Sequence, residues 1–181
     1  MTTSELERVR LLLRTRQVRE FTDEPLRDAE LEALTDVARW SGSSRNNQPW
    51  RFVVIRDRVV IERIHEAGAP QTRSLRTAVQ AIAIVLGGDP ADVENAFDEG
   101  RAAERVLIGA GLLDLAAGVS WVRPSVWPVV GELLGLPPDR FVRTMIALGH
   151  PSEDARRSKS APGDARLPAT ETVFEERWPQ G

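Results

Sequence analysis

Residues 78–86 constrain the fold more than any other stretch of this sequence. They read A-V-Q-A-I-A-I-V-L, with Gln80 the one polar side chain. A strand with one wet face alternates apolar and polar residues, so a run apolar on both faces needs cover on both. Gly87-Gly-Asp-Pro90 ends it with turn residues. At 181 residues the chain is long enough for one domain with a real core and no staples.

Other segments supply the cover. Leu6, Val9 and Leu13 follow helical spacing, which predicts a helix over 4–14. Asp28 is placed to cap a second helix to about Trp40, with Leu31, Leu34, Thr35 and Ala38 on its buried stripe. Residues 52–55 read as a strand, and 58–67 as a short helix with Val60, Ile61 and Ile64 inward. A long helix is expected over 98–117, with Gly118 as its stop. Two strands, 119–122 and 141–148, flank a helix over 127–134 that Gly135 ends. Thr172-Val-Phe174 reads as a last strand. Helices and strands mix irregularly, which predicts an α+β domain. Residues 152–181 form a polar, proline-containing arm with a late apolar patch, placed to pack across another subunit.

Composition excludes much chemistry. Cysteine is absent, which removes thiolate catalysis, CxxC redox chemistry and iron–sulfur ligation. The two histidines, His65 and His150, stand 85 positions apart, so no HExxH metal site exists. No G-x-S-x-G elbow marks a serine hydrolase, and no carboxylate pair is placed for acid–base work. Net charge is −3, which argues against a nucleic-acid binder. The first residues lack an apolar signal region, and no apolar stretch reaches membrane-spanning length. The expectation is a soluble, cytoplasmic protein.

Four segments remain as candidates. Arg14-Thr-Arg16-Gln17-Val-Arg19 sets three guanidiniums within six residues, and guanidiniums match phosphate bidentately. All but one of the 24 basic residues are arginine, so a solvated basic face is the competing reading. Ser43-Ser44-Arg-Asn46-Asn-Gln48-Pro49-Trp50 sets hydroxyls and amides before a strand. Amides both donate and accept, which suits a heteroaromatic ring edge; a polar turn is the competing reading. Gly109-x-Gly111 lies in a helical context, with Asp114 at the third small position, so it is not a dinucleotide turn. It reads as two glycines that permit close helix packing. Arg166-Leu-Pro168 lies in the arm.

Taken in order, these segments resemble the FMN-dependent nitroreductase family. Arg16-Gln-Val-Arg19-x-Phe21 is similar to its R-S-x-R-x-F element. Ser43-Ser44-x-Asn46-x-Gln48-Pro49-Trp50 is similar to its S-S-x-N-x-Q-P-W element, the most specific of the set. Residues 99–118, Met145-Ile-Ala-Leu-Gly149-His-Pro151 and Arg166-Leu-Pro168 resemble its central helix, late strand and C-terminal element. The resemblance implies a nitroreductase-like α+β fold with a central mixed sheet, and a homodimer that exchanges C-terminal arms and holds FMN at its interface. It implies that Arg14, Arg16, Gln17, Arg19 and Arg166 meet the phosphate and ribityl end, and that Ser44, Asn46 and Gln48 meet the flavin ring or orient its loop. No side-chain nucleophile and no metal is implied. NAD(P)H would reduce the flavin, which would then reduce a nitroaromatic, quinone or similar small molecule in ping-pong fashion. A flavin-sequestering relative with little turnover, or a dehalogenase or flavin-modifying relative, is the alternative. Three departures bear on the site: Thr15 stands where many members carry Arg, Gly42 where they carry Pro, and Asp164 where some carry a basic residue.

Overall fold

A computed structural model describes residues 3–157 and 166–179. The elements in chain order are α1 (Thr3–Leu11), α2 (Asp28–Arg39), β1 (Arg51–Ile55), α3 (Arg58–Gly68), β2 (Gln80–Gly87) and α4 (Val93–Leu112). They continue with β3 (Ala116–Trp121), α5 (Trp127–Leu134), β4 (Arg140–Gly149), α6 (Glu153–Arg156) and α7 (Ala169–Thr172). The apolar run becomes β2, an inner strand of a four-stranded sheet ordered β1-β2-β4-β3.

The strand serves two cores at once. Ile82, Ile84 and Leu86 pack with Leu31, Leu34 and Ala38 of α2 and Ala102, Val106 and Ala110 of α4. Ala81, Ala83 and Val85 face the opposite side, with Ile61 and Ile64 of α3 and Val130 of α5. Each fully buried Ile or Leu contributes about 1.5–3 kcal/mol relative to exposure. Gln80, the polar exception, is buried, and its Oε1 accepts the Leu26 N–H at 2.9 Å.

The α+β layering follows the sequence, with one correction to the sheet. Mixed pairing was the expectation; every strand pair among the described residues is antiparallel. The register of β2 on β4 shifts between Ile84 and Val85, so Arg143 bulges out of the ladder. Its guanidinium reaches Glu99 of α4, with Nη2 2.6 Å from Oε2.

Element ends differ in instructive ways. The expected stop at Gly118 is corrected: α4 ends at Leu112, where Asp114 takes a left-handed φ of 56°. The Leu115 N–H reaches the Ala110 carbonyl at 2.9 Å, closing a Schellman-type end without glycine. Gly118 lies inside β3 instead, because the Val18 carbonyl presses on the place a Cβ would occupy. At α2, Arg27 rather than Asp28 holds the cap position, and the Glu30 carboxylate accepts the Arg27 N–H at 2.8 Å. Residues 172–174 form no strand; Thr172 ends the turn of α7. Gly109 does permit close packing, since a Cβ there would lie 3.1 Å from Leu34 Cδ2, whereas Gly111 faces only an ordinary contact. Leu6, Val9 and Leu13 are exposed along α1 and the 3-10 turn after it.

Candidate active site

The chain between α1 and α2 is laid over the sheet edge by its apolar residues. Val18 and Phe21 are buried. The Val18 N–H donates to Ala117 O at 2.8 Å, and the Phe21 N–H to Thr77 Oγ1 at 3.1 Å. With those two turned inward, Arg16 and Gln17 point out and Arg19 is half-buried. Arg19 Nη2 donates to Gln17 Oε1 at 3.2 Å. Arg16 donates to the backbone carbonyls of Ala155 and Arg157, the latter at 3.2 Å. Burial first, and then the charge of Arg73, hold the Arg19 guanidinium below its ordinary range. Of the expected phosphate residues, Gln17 and Arg19 are thus paired, while Arg16 turns to the backbone at and just after α6. Arg73, which sequence reasoning missed, joins them from the 3-10 turn Arg73–Leu75. Its own segment offers no signal beyond one more arginine in an arginine-rich chain.

Arg14 ends the 3-10 turn Leu12–Arg14, just ahead of this stretch. Arg166 is exposed in the segment preceding α7. Asp164, one of the three departures, lies outside the described residues. Thr15, another, lines a cleft of about 390 Å³ with Arg16, Val18, Leu107, Gly111 and Arg156.

The second motif forms a strained loop. Ser44–Asn46 makes a 3-10 turn, and Arg45, Asn46 and Gln48 hold φ values of 48°, 57° and 48°. Left-handed backbone costs an L-residue with a Cβ about 1–2 kcal/mol, and such strain gathers at functional sites. The loop is closed from within, with the Gln48 N–H donating to Ser43 Oγ at 3.0 Å. Gln48 Nε2 donates to Asn46 Oδ1 at 3.2 Å, so the two amides form one unit. Buried Trp50 anchors the exit into β1. From α4, Asp98 Oδ2 accepts the Ser44 N–H at 2.8 Å.

The two motifs stand far apart on one chain. The Ser44 loop touches α4 at Asp98. Thr15 lies over Gly111, its Oγ1 3.8 Å from where a Cβ would stand. Thirteen helical positions separate those contacts, about 20 Å along the axis at 1.5 Å per residue. The phosphate-type donors and the ring-type donors therefore sit toward opposite ends of α4.

The histidines have structural partners. His65 Nδ1 lies 3.1 Å from Thr72 O, and His150 Nε2 lies 3.9 Å from Glu24 Oε1. Among the described residues, no helix is long and apolar enough to cross a membrane.

Residues 12–85 match the model of the nitroreductase family. A protein of Archaeoglobus fulgidus with a provisional NADH dehydrogenase/NAD(P)H nitroreductase name is 27% identical over 157 residues. That match covers 82% of this chain and 87% of the relative. The NADH dehydrogenase of Thermus thermophilus is 26% identical over 168 residues, covering 87% and 80%. The solved structure of an FMN-dependent nitroreductase from Clostridium difficile superposes with a TM-score of 0.80 at 21% identity, over 93% of this chain and 99% of that one, a likeness of fold. Both motifs within the matched residues, the sheet with its helical layers and these relatives all support a place for this chain among nitroreductase-like proteins.

Proposed function

We propose that the chain is an FMN-dependent oxidoreductase, acting as a homodimer that passes hydride from NAD(P)H to a small oxidised acceptor such as a nitroaromatic or quinone. The family match over residues 12–85 and the names of its relatives support an oxidoreductase by class; cofactor, donor and acceptor are the proposal. FMN, when bound, supplies the hydride chemistry, accepting at N5 and releasing electrons to a second substrate in ping-pong fashion.

The residues present suit such a group. A mononucleotide needs a dianion site at one end and a donor–acceptor edge at the other. Arg16, Gln17 and Arg19, backed by Arg73 and joined by Arg14 and Arg166, would hold the phosphate and ribityl end. Guanidinium forks bind phosphate oxygens in pairs. Ser44, Asn46 and Gln48 would meet the ring edge, where Gln48 fixes the Asn46 amide through the 3.2 Å hydrogen bond. No side chain of this set is a nucleophile, and none is required.

The observation that carries the reading is the 20 Å between the two halves along α4. That is the spacing of the two anchor points on the helix, and the ribityl chain alone is far shorter; we read the separation as one met by donors from two copies. The two ends of one flavin would be met by two subunits. The exposed side chains of Leu6, Val9 and Leu13 support a second copy, because apolar surface of that kind marks association. So does the open edge of β1, where unpaired backbone would take an arm from the partner. Leu167, Val173 and Trp178 supply the exposed apolar side chains of such an arm.

The deciding experiment is the visible spectrum of the purified protein, with mass analysis of the released molecule and of the assembly. The expected results are bound FMN, NAD(P)H oxidation with an added acceptor, and an assembly twice the 20.1 kDa chain mass. A colourless protein that takes up no added FMN overturns the reading.

A further inference from the structure

The strained loop rests on a buried carboxylate with no part in the hydride chemistry proposed above. Asp98 is 2% exposed on α4. Its Oδ2 accepts the Ser44 N–H at 2.8 Å, and its Oδ1 lies 3.3 Å from Arg101 Nη1. The Arg101 guanidinium continues over Gly42, where a Cβ would collide with Nη2. Gly42, Arg101, Asp98 and Ser44 thus form one clamp at the entrance and first residues of the loop. Left-handed residues such as Arg45, Asn46 and Gln48 persist only where their surroundings hold them. The Ser43–Gln48 hydrogen bond closes the loop on itself but does not fix it to the scaffold. The bond to Asp98 does, because α4 is packed across the sheet.

We propose that Asp98 is a positioning residue for the flavin ring, holding the Ser44–Gln48 loop so that Asn46 and Gln48 stay aimed at their ligand. The proposal rests on the reading that this loop meets FMN. A side chain at position 42 would need the space that the guanidinium pairing with Asp98 now fills, so Arg101 would have to move aside.

The test compares Asp98→Ala, which removes the acceptor, with Asp98→Asn, which keeps an acceptor oxygen and drops the charge. Gly42→Ala is the second route, since it leaves Asp98 in place and displaces Arg101. Hydrogen–deuterium exchange is followed in the FMN-free full-length chain, and FMN affinity is measured separately. For Asp98→Ala, residues 43–49 should exchange roughly tenfold faster with β2 and β4 unchanged, and FMN should bind about tenfold more weakly. Asp98→Asn should stay within about threefold of the parent in both readouts, and Gly42→Ala should move as Asp98→Ala does by a smaller factor. Parent-like exchange over 43–49 in both Asp98→Ala and Gly42→Ala overturns the proposal. So does loosening of β2 and β4 to the same extent, which would make Asp98 a general packing residue. A parent chain that binds no FMN refutes the flavin reading by itself, and the exchange data still decide whether Asp98 holds the loop.

Discussion

Removing the Glu99 carboxylate should destabilise this protein far more than removing both members of its ion pair. The Glu99 side chain is 3% exposed and that of Arg143 is 11%. Arg143 donates through Nε at 2.8 Å to Glu99 Oε2 and through Nη1 at 3.0 Å to Pro90 O. Glu99 Oε1 is buried without a hydrogen-bond partner among the described residues, so the pair hangs on one oxygen. In Glu99→Ala the guanidinium keeps its charge, the Pro90 carbonyl and the faces of Trp121 and Phe141 at 5.8 and 6.0 Å. Breaking a buried pair from one side costs about 3–5 kcal/mol. In a chain of this size each kcal/mol moves Tm by about 2–4 °C, so the expected fall is roughly 6–20 °C. Glu99→Leu/Arg143→Met replaces both groups by apolar ones of roughly similar volume and should lie within about 1 kcal/mol of the parent. Urea unfolding followed by circular dichroism, with m compared across variants, supplies the free energies. A double variant as unstable as Glu99→Ala would refute the argument, since the loss would then be one of packing rather than an orphaned charge.

Three further outcomes follow from single contacts. Hydrogen bonds from the Arg27 side chain, and then from its N–H, hold the Glu30 carboxyl below the usual carboxylate range. A depressed folded-state pKa adds stability above the unfolded value and loses it as pH falls through the folded one. The stability gap between parent and Glu30→Gln should therefore be full at pH 7 and close below about pH 4 in urea titrations. Gly118→Ala forces the Val18 carbonyl off β3, costs about 1–3 kcal/mol, and weakens FMN retention by shifting Arg16 and Arg19; parent-like retention in a folded variant would contradict the second effect. Asp114→Gly relieves a left-handed residue and removes a negative charge from the C-terminal end of α4. Thermal melts should show about 0.5–1 kcal/mol of added stability.

The sequence made legible whatever a local pattern carries. The apolar run became β2 with both faces covered, and Gly135 ended α5 with a φ of 63°. What it hid depended on partners far along the chain. A left-handed Asp114 did the work expected of Gly118, because the Leu115 N–H found the Ala110 carbonyl. The N-cap of α4 went unread although Asp92 accepts from both Glu94 and Asn95. Arg16, Gln17 and Arg19 share a connector and could be read as a group. Arg73 and Asp98 reach the two motifs only through the fold, at separations that leave no spacing to recognise. The sheet was read as mixed, and the antiparallel order of the described strands leaves β1 as an open edge.

The distance along α4 has a genetic consequence. With the phosphate donors on one subunit and the ring donors on the other, each dimer would own two reaction centres, and every centre would borrow half its parts. A chain crippled at Arg16 and Arg19 spoils the phosphate end it supplies, and a chain crippled at Asn46 spoils the ring end. In a mixed dimer both defects fall in the same centre, and the other centre is built entirely from sound halves. Two inactive alleles would then restore activity to one another, at one working centre per hybrid. A chain that held the flavin alone would show no such rescue.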